Sequence, residues 1–541
     1  MSLFGSLYVG ASGLQTSQNA LNTTAHNMAN VDTTGYTRQQ ILFGTRSYNI
    51  LSVNASSVAY QQTGLGVYYS QTRQVRDEFL DKTYRKESGR SAFYETNTQV
   101  IEEVEDLFGE FQGAEFSEAL ENLWTAIEEL AKDPCKATNQ NLFVTRSKEF
   151  LQRALLVYQG LSDQQDNLNT QVKADVETLN KYGEQLVEIN KQIMKIETGG
   201  TENANDLRDK RNQILDEMAK LGDISYSEDI YGVVTVRFEG VDFIRSDSIN
   251  KIELYQDKTT GFYTPYWSQL ANYKTVNGEK VLDLEASRVY DPTQTISSDM
   301  NTDIGSMRAL LLARGEKRAT YQEVDPATVD IENYNTNISQ SLLMNIQAEF
   351  DYLIKSVTTK INEVLKNAAE EATLSDPSST YLRDEDGKPY QLFEMIANDD
   401  AVGFTVGNIV INEDLVAEPA LLSFRLKDGT EDKATMQKLL DVLSDESYTL
   451  NPNLKTKTNL MKYYSSLISQ VSNTGEANKE IAAAQVNTVN EAFAAREQVV
   501  GVFSDEEMEF MIKFQNAYNA SSRYINVINE MIEHIISTLG R

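Results

Sequence analysis

His26-Asn27-Met28-Ala29-Asn30-Val31-Asp32-Thr33-Thr34-Gly35-Tyr36-Thr37-Arg38-Gln39 is the stretch on which the reading of this 541-residue chain turns. Upstream of it Leu7, Leu14, Leu21 and Met28 lie seven apart, and Ala11 and Ala25 follow Leu7 and Leu21 by four. That spacing places large and small apolar residues on one helix face at coiled-coil period. In the first forty residues only Asp32 and Arg38 are charged, although the chain has a net charge of −31. A segment so poor in charge is built to be covered by something, and the polar turn at Gly35 ends it.

The far end repeats the property. Met508, Met511, Tyr518, Ile525, Ile532, Ile536 and Leu539 fall near heptad seam positions, with Gln515, Ser522 and Asn529 at alternate ones. Ser504-Asp505-Glu506-Glu507 reads as an N-cap followed by first-turn acids that the helix dipole favours. Two amphipathic termini with nothing else nearby to bury them are expected to pack on each other and on copies from other molecules.

Between the ends a helical frame keeps returning. Ile41 to Tyr69 is rich in Ser, Asn and Gln and reads as irregular extended chain, with Gly64 and Gly66 as breakers. Helices are expected from Asp77 to Phe108 and from Phe116 to Lys132, the second ended by Asp133-Pro134. Val172, Val176, Leu179, Tyr182, Leu186, Ile189, Ile193 and Ile196 step by three or four, so one helix is expected from Leu142 to the Thr198-Gly199-Gly200-Thr201 stop. Asn205 to Leu221 reads as a returning helix. Its Asn205-Asp206-Leu207-Arg208-Asp209-Lys210-Arg211 run is accounted for by helix-surface ion pairs at i,i+3 and i,i+4.

At Gly222 the period changes to two. Strands are expected at Tyr231 to Phe238, Val241 to Ile244 and Lys251 to Tyr255, with turns at Gly240, Asp257-Lys258-Thr259 and Asn277-Gly278. Helical pattern resumes at Gly305 to Gly315 and continuously at Tyr334 to Lys366. A second non-helical block, Leu374 to Ser447, holds a strand at Asn408 to Asn412. The expected fold is mainly α with β-rich insertions (α+β): a long helical bundle or coiled-coil rod built from both termini, with one or two β-type outer domains. Residues 1–70 and 505–541 would be terminal assembly helices and connector. Residues 71–222, 300–370 and 455–504 would form the helical rod domain, 223–299 a β-rich insertion, and 371–454 a second, mixed β/α insertion.

Composition narrows the function classes. Strong acidity argues against nucleic-acid and anionic-membrane partners, which need clustered Lys and Arg. No run approaches the length of an apolar membrane span, and Met1 to Leu14 lacks the basic start of a secretory signal. With Cys135 as the sole cysteine, an internal disulfide is excluded. His26 and His534 are the only histidines, and no HExxH or Gly-x-Ser-x-Gly spacing occurs. Gly64-Leu65-Gly66 lacks the third glycine of a dinucleotide fingerprint. The acid run Glu102-Glu103-Val104-Glu105-Asp106 lacks calcium-loop spacing. Nothing points to an enzyme, a metal or a cofactor.

The opening stretch resembles the pattern shared by axial proteins of the bacterial flagellum, rod and hook proteins included. Ser12-Gly13-Leu14, Asn27, Ala29, Asn30, Thr33, Gly35 and Tyr36 carry that likeness, with His26, Met28 and Thr34 standing where the pattern usually has Asn, Ile and Pro. The ending Tyr36-Thr37-Arg38-Gln39, the run from Asn205 to Arg211 and the C-terminal Phe514-Gln515-Asn516-Ala517-Tyr518-Asn519-Ala520-Ser521 narrow the resemblance to the hook-associated protein 1 family. The resemblance implies an extracellular structural subunit of the flagellum at the hook–filament junction, exported through the type III apparatus without a cleaved signal. It implies as partners other copies in a ring on a helical lattice, the hook protein, the second junction protein (hook-associated protein 3) and an export chaperone. No nucleic acid and no membrane insertion belong to that picture; another axial subunit, of rod or hook, is the alternative. Terminal helices unpaired in the monomer would order on assembly. The expected interface comprises Leu7, Ala11, Leu14, Leu21, Ala25, Met28, Asn30, Gly35, Tyr36 and Arg38, with Met508, Met511, Tyr518, Ile525, Ile532, Ile536 and Leu539.

Overall fold

The computed structural model of the chain describes residues 3–53, 60–108, 116–200, 202–276, 279–397 and 402–539. In chain order its helices are α1 (Leu3–Ala29), α2 (Glu78–Phe108), α3 (Phe116–Lys132), α4 (Ala137–Glu197), α5 (Asn205–Leu221) and α6 (Ser306–Arg314). They continue with the single turn α7 (Ile331–Asn333), α8 (Leu342–Ser375), the short α9 (Glu413–Ala417), α10 (Lys433–Ser444), α11 (Leu460–Val500) and α12 (Ser504–Leu539). The class is the expected one, mainly helical with β-type insertions. The chain forms two compact units: Met1–Ser91 with Thr178–Lys251 and Gln485–Arg541, and Ala92–Glu177 with Ile252–Ala484.

The first unit is built around the termini. α1 packs on α12, and the strand Gln39–Thr45 pairs antiparallel with Val67–Gln74, setting Gln39 opposite Gln74. Asn49–Val53 pairs with Tyr60–Thr63. The described part of the region expected to be irregular therefore holds paired strands. Along Gln39–Thr45 only Ile41 is buried, so hydrophobic alternation is too faint to mark the strand. A four-stranded antiparallel sheet in the order Ile224–Glu228, Val234–Phe238, Val241–Arg245, Ser248–Ile249 lies on the end of α4. Buried Asn190 of α4 clamps it, donating to the Val234 carbonyl at 2.8 Å and accepting from the Val234 N–H at 3.2 Å. Gly183 is needed beneath the sheet, because a Cβ there would lie 2.3 Å from Ile249 Cδ1.

The second unit holds one continuous hydrophobic core. Phe116 sits at its centre, with ring centroids 4.7 Å from Tyr464, 5.1 Å from Phe350 and 5.5 Å from Phe150. Hairpins Ile252–Gln256 with Tyr263–Trp267, Asn272–Val276 with Glu279–Asp283, and Phe393–Met395 with Ile409–Ile411 make up its β-type parts. The Asn277-Gly278 turn lies outside the described residues. Two expectations are corrected here. The helix expected from Tyr334 is broken: a π-turn at Tyr334–Ile338 gives way to α8, whose start is capped by Ser341. The block 374–447 contains a helix, α10, capped by Asp432, which accepts from the Thr435 N–H at 3.0 Å.

Candidate assembly surface

Within the first unit, α1 does not bury its leucines most deeply. Ser6, Gly10, Ser12, Thr16, Ser17, Ala20, Thr24 and Asn27 are the buried positions, while Leu7, Leu14, Leu21 and Met28 are half-buried at the margin and Ala11 and Ala25 are exposed. Small residues set this face because α12 comes close: a Cβ on Gly10 would stand 2.8 Å from Ile525 Cγ1, and one on Gly13 2.8 Å from Ser521 Oγ. The expectation of terminal helices unpaired in the monomer is thereby corrected. The two helices already bury one face of each other within a single chain.

The outward face of α1 is uncharged, and both helices leave large apolar residues exposed. On α1, Phe4 is 71% and Tyr8 66% exposed, and Ala11, Gln15, Gln18, Asn22 and Ala25 continue the stripe at helical spacing. On α12, Met508, Ile512, Val527, Met531, Ile535 and Ile536 are exposed, whereas Met511, Tyr518, Ile525 and Ile532 are half-buried. The Leu539 side chain lies outside the described residues.

The turn after α1 is a hydrogen-bonded knot. Asn27, 1% exposed, accepts from the Tyr36 hydroxyl at 2.8 Å and the Gln39 N–H at 3.0 Å, and donates to the Gln39 carbonyl at 2.9 Å. Burial and nearby carboxylates push the Tyr36 phenol well above its ordinary range. Asn30 donates to the His26 carbonyl at 2.9 Å, and the His26 and Tyr36 rings meet edge to face at 5.7 Å. Gly35 has φ of 74°, and Gln213 of α5 donates to the Thr34 carbonyl at 2.7 Å. A turn without proline at position 34 is thus held from outside by α5.

Arg38 ties this knot to the C-terminal helix. It donates to Glu507 at 2.8 Å, approaches Glu506 at 3.2 Å and lies 5.4 Å from the Phe510 ring centroid. Its backbone N–H reaches the Val500 carbonyl at 2.9 Å. Glu507 is 2% exposed, so it depends on this partner.

The Asn205–Arg211 run does more than the surface-pair reading allowed. Arg208 grips Glu197 bidentately at 2.8 and 2.7 Å and Glu228 at 2.7 Å. Arg211 reaches Glu228 at 2.6 Å and the Gly232 carbonyl at 2.7 Å. Asp209 accepts from the Thr37 N–H at 3.3 Å and from Gln74 at 2.7 Å. Burial raises the Asp209 carboxyl to about 6, opposed by its bonds to Thr37. These partners lie on other segments, not one turn away, so the run docks the signature turn and the Val67–Gln74 strand onto α5. Asp216 bridges Arg85 at 2.7 Å and Arg496 at 2.8 Å, fastening α2 and α11 to the same helix.

Comparisons with known proteins find relatives of this chain. The family profile described as Flagellar hook-associated protein FlgK helical domain matches residues 101–371, and that described as Flagella basal body rod protein matches residues 7–37. The flagellar hook-associated protein 1 of Bacillus subtilis is 24% identical over 542 residues, covering 100% of this chain and 99% of its own. That of Escherichia coli is 21% identical, covering 97% and 98%. Among solved structures, the flagellar hook junction protein FlgK from Burkholderia pseudomallei has a TM-score of 0.55 at 11% identity, over 77% of this chain and 100% of that one. No helix among the described residues is long and apolar enough to cross a membrane. The chain belongs to the FlgK family of flagellar hook-associated proteins.

Proposed function

We propose that this chain is the non-enzymatic structural subunit that joins hook to filament, locked into a helical lattice by the outward faces of α1 and α12. The observation that carries the reading is the set of exposed apolar side chains, Phe4, Tyr8, Met508, Ile512, Val527, Met531, Ile535 and Ile536, left open on the two helices that hold the terminal patterns. Exposed apolar residues clustered at helical spacing in a chain of net charge −31 mark a surface that a partner covers. The expected set Leu7, Leu14, Leu21, Met28, Met511, Tyr518, Ile525 and Ile532 lies at the edge of the intrachain seam, where it shapes the pair that the lattice receives. Neighbouring copies, the hook protein and hook-associated protein 3 would cover these side chains, and an export chaperone would shield them before type III export without a cleaved signal. Repeated contacts between unlike faces generate an open helical array.

Paired substitutions Tyr8→Asp with Val527→Asp test this reading, since both sites are exposed and the monomer fold should persist. Incorporation onto hooks should be lost while circular dichroism stays native; normal incorporation would sink the reading. A rod or hook subunit is the second reading, favoured by the match of residues 7–37 to the rod-protein profile. Recovery of the chain from rods or along the hook shaft, not from the hook tip, would select it.

A further inference from the structure

The second unit holds 27 basic against 53 acidic side chains, so it carries −26 of the chain's net −31. Copies of such a unit brought side by side repel unless the surfaces that meet differ in sign. An open groove of about 810 Å³ runs along α11 from Lys462 to Asn478, with the loop from Leu450 to Thr458 as its other wall. Among the described residues no carboxylate lines it. Lys462 does, and Lys455 and Lys457 stand exposed on the loop. Lys462 approaches a carboxylate only at 3.4 Å, that of Glu446, and both side chains are mostly exposed. The rest of the lining is uncharged, made of Ser, Thr, Asn and Gln side chains with Leu450, Leu454 and Ala477.

α3 presents the opposite sign. Its Ala119, Leu120, Leu123, Ala126, Ile127 and Leu130 are buried, which leaves Glu118, Glu121, Thr125 and Glu128 exposed in a row at spacings of three and four. Lys132, the base at the end of this helix, is taken by Glu129 at 2.6 Å. α11 stands between the row and the groove. Phe116 of α3 packs on Tyr464 with ring centroids 4.7 Å apart. At about 100° per residue, Lys462, Ser465, Ser469 and Asn473 project from the side of α11 away from Tyr464. The glutamate row is about 15 Å long and the groove about 24 Å, so the row fits within it.

We propose that the glutamate row of α3 docks in the α11 groove of the next copy, a contact that rests on the lattice of copies proposed above and adds a second interface to it. Each contact sets Glu118, Glu121 and Glu128 against Lys455, Lys457 and Lys462 and so turns repulsion between acidic neighbours into attraction. Because the two surfaces are unlike and lie on opposite sides of one unit, the contact repeats head to tail.

The test uses the full chain carrying Cys135→Ser, Thr125→Cys and Ser469→Cys, assembled on hooks and treated with a short bis-maleimide. Covalent products at successive multiples of the chain's mass are expected, with none from either chain that has only one of the two new thiols. A chain present on hooks that gives no such products would overturn the proposal and leave the junction reading standing. Absence of the parent chain from hooks would overturn the junction reading and this contact with it. Lys455→Glu, Lys457→Glu and Lys462→Glu together, exposed changes checked by circular dichroism, should cut the yield about tenfold. Adding Glu118→Lys, Glu121→Lys and Glu128→Lys to the same chain should restore it. An undiminished yield in the lysine-reversed chain would overturn the charge pairing.

Discussion

Replacing Asn27 by alanine removes three hydrogen bonds at once and leaves the Tyr36 hydroxyl and both polar groups of the Gln39 peptide without their partner. At about 1 kcal/mol net for each bond, the turn between α1 and the first strand should lose roughly 3 kcal/mol of local stability. Because about 1.4 kcal/mol is a factor of ten, the Gln39 amide should exchange its hydrogen some 150-fold faster (roughly) than in the parent chain. Hydrogen exchange read by mass spectrometry or NMR reports that site directly and does not require the chain to unfold as one unit. Tyr36→Phe, which removes one of the three bonds, should accelerate the same amide about fivefold. If Asn27→Ala changed Gln39 exchange by less than about threefold in an otherwise native protein, the claim that Asn27 holds the turn would be wrong.

Further outcomes follow from the same geometry. Gly10→Val drives two methyl groups into Ile525 and Tyr524, so protease cleavage of α1 and α12 should speed up sharply while the second unit stays resistant. Arg38→Gln strands buried Glu507 and should destabilise the start of α12 by about 3 kcal/mol, seen as faster amide exchange over the helix's first turns; Glu507→Gln in the same chain should recover part of that loss. In the second unit, Glu349 is fully buried among Asn345, Asn451 and Gln470, all neutral donors, and burial lifts its carboxyl to about 7 from an ordinary 4.5. The native state therefore binds this proton more tightly than the unfolded chain. The stabilisation is complete below about pH 4.5 and is lost as pH rises through about 7, with roughly 3 kcal/mol at stake. Glu349→Gln should flatten that pH dependence in denaturant titrations; an unaltered profile would remove Glu349 as its source.

Periodic apolar residues made the long helices legible. The run Val172 to Ile196 buries Val172, Val176, Leu179, Leu186 and Ile193 inside α4, and the Thr198-Gly199-Gly200-Thr201 stop ends it as read. α5 matches its expected bounds. The strand Gln39–Thr45 was hidden because its apolar residues Ile41-Leu42-Phe43 run consecutively and only Ile41 is buried, so no alternation marks it. α10 did carry a signal, with Asp432 as cap and Met436, Leu439 and Leu443 on one face, but turn residues around it masked the period.

The inner face of α1 was missed for a different reason. Hydrophobicity points to Leu7, Leu14 and Leu21, whereas close approach to α12 selects Gly10, Gly13, Ser17 and Thr24, whose spacing by three, four and seven was the readable clue. The charged run in α5 was read as local pairing because i,i+4 neighbours are visible in sequence and partners 172 residues away, as Thr37 is from Asp209, are not.

Electron cryomicroscopy of the hook–filament junction in purified flagella tests the central claim most directly. The account predicts this chain between hook and filament, with Phe4, Tyr8, Val527 and Met531 buried against neighbouring subunits. Placement in the rod, or a junction in which those four side chains face solvent, would contradict it.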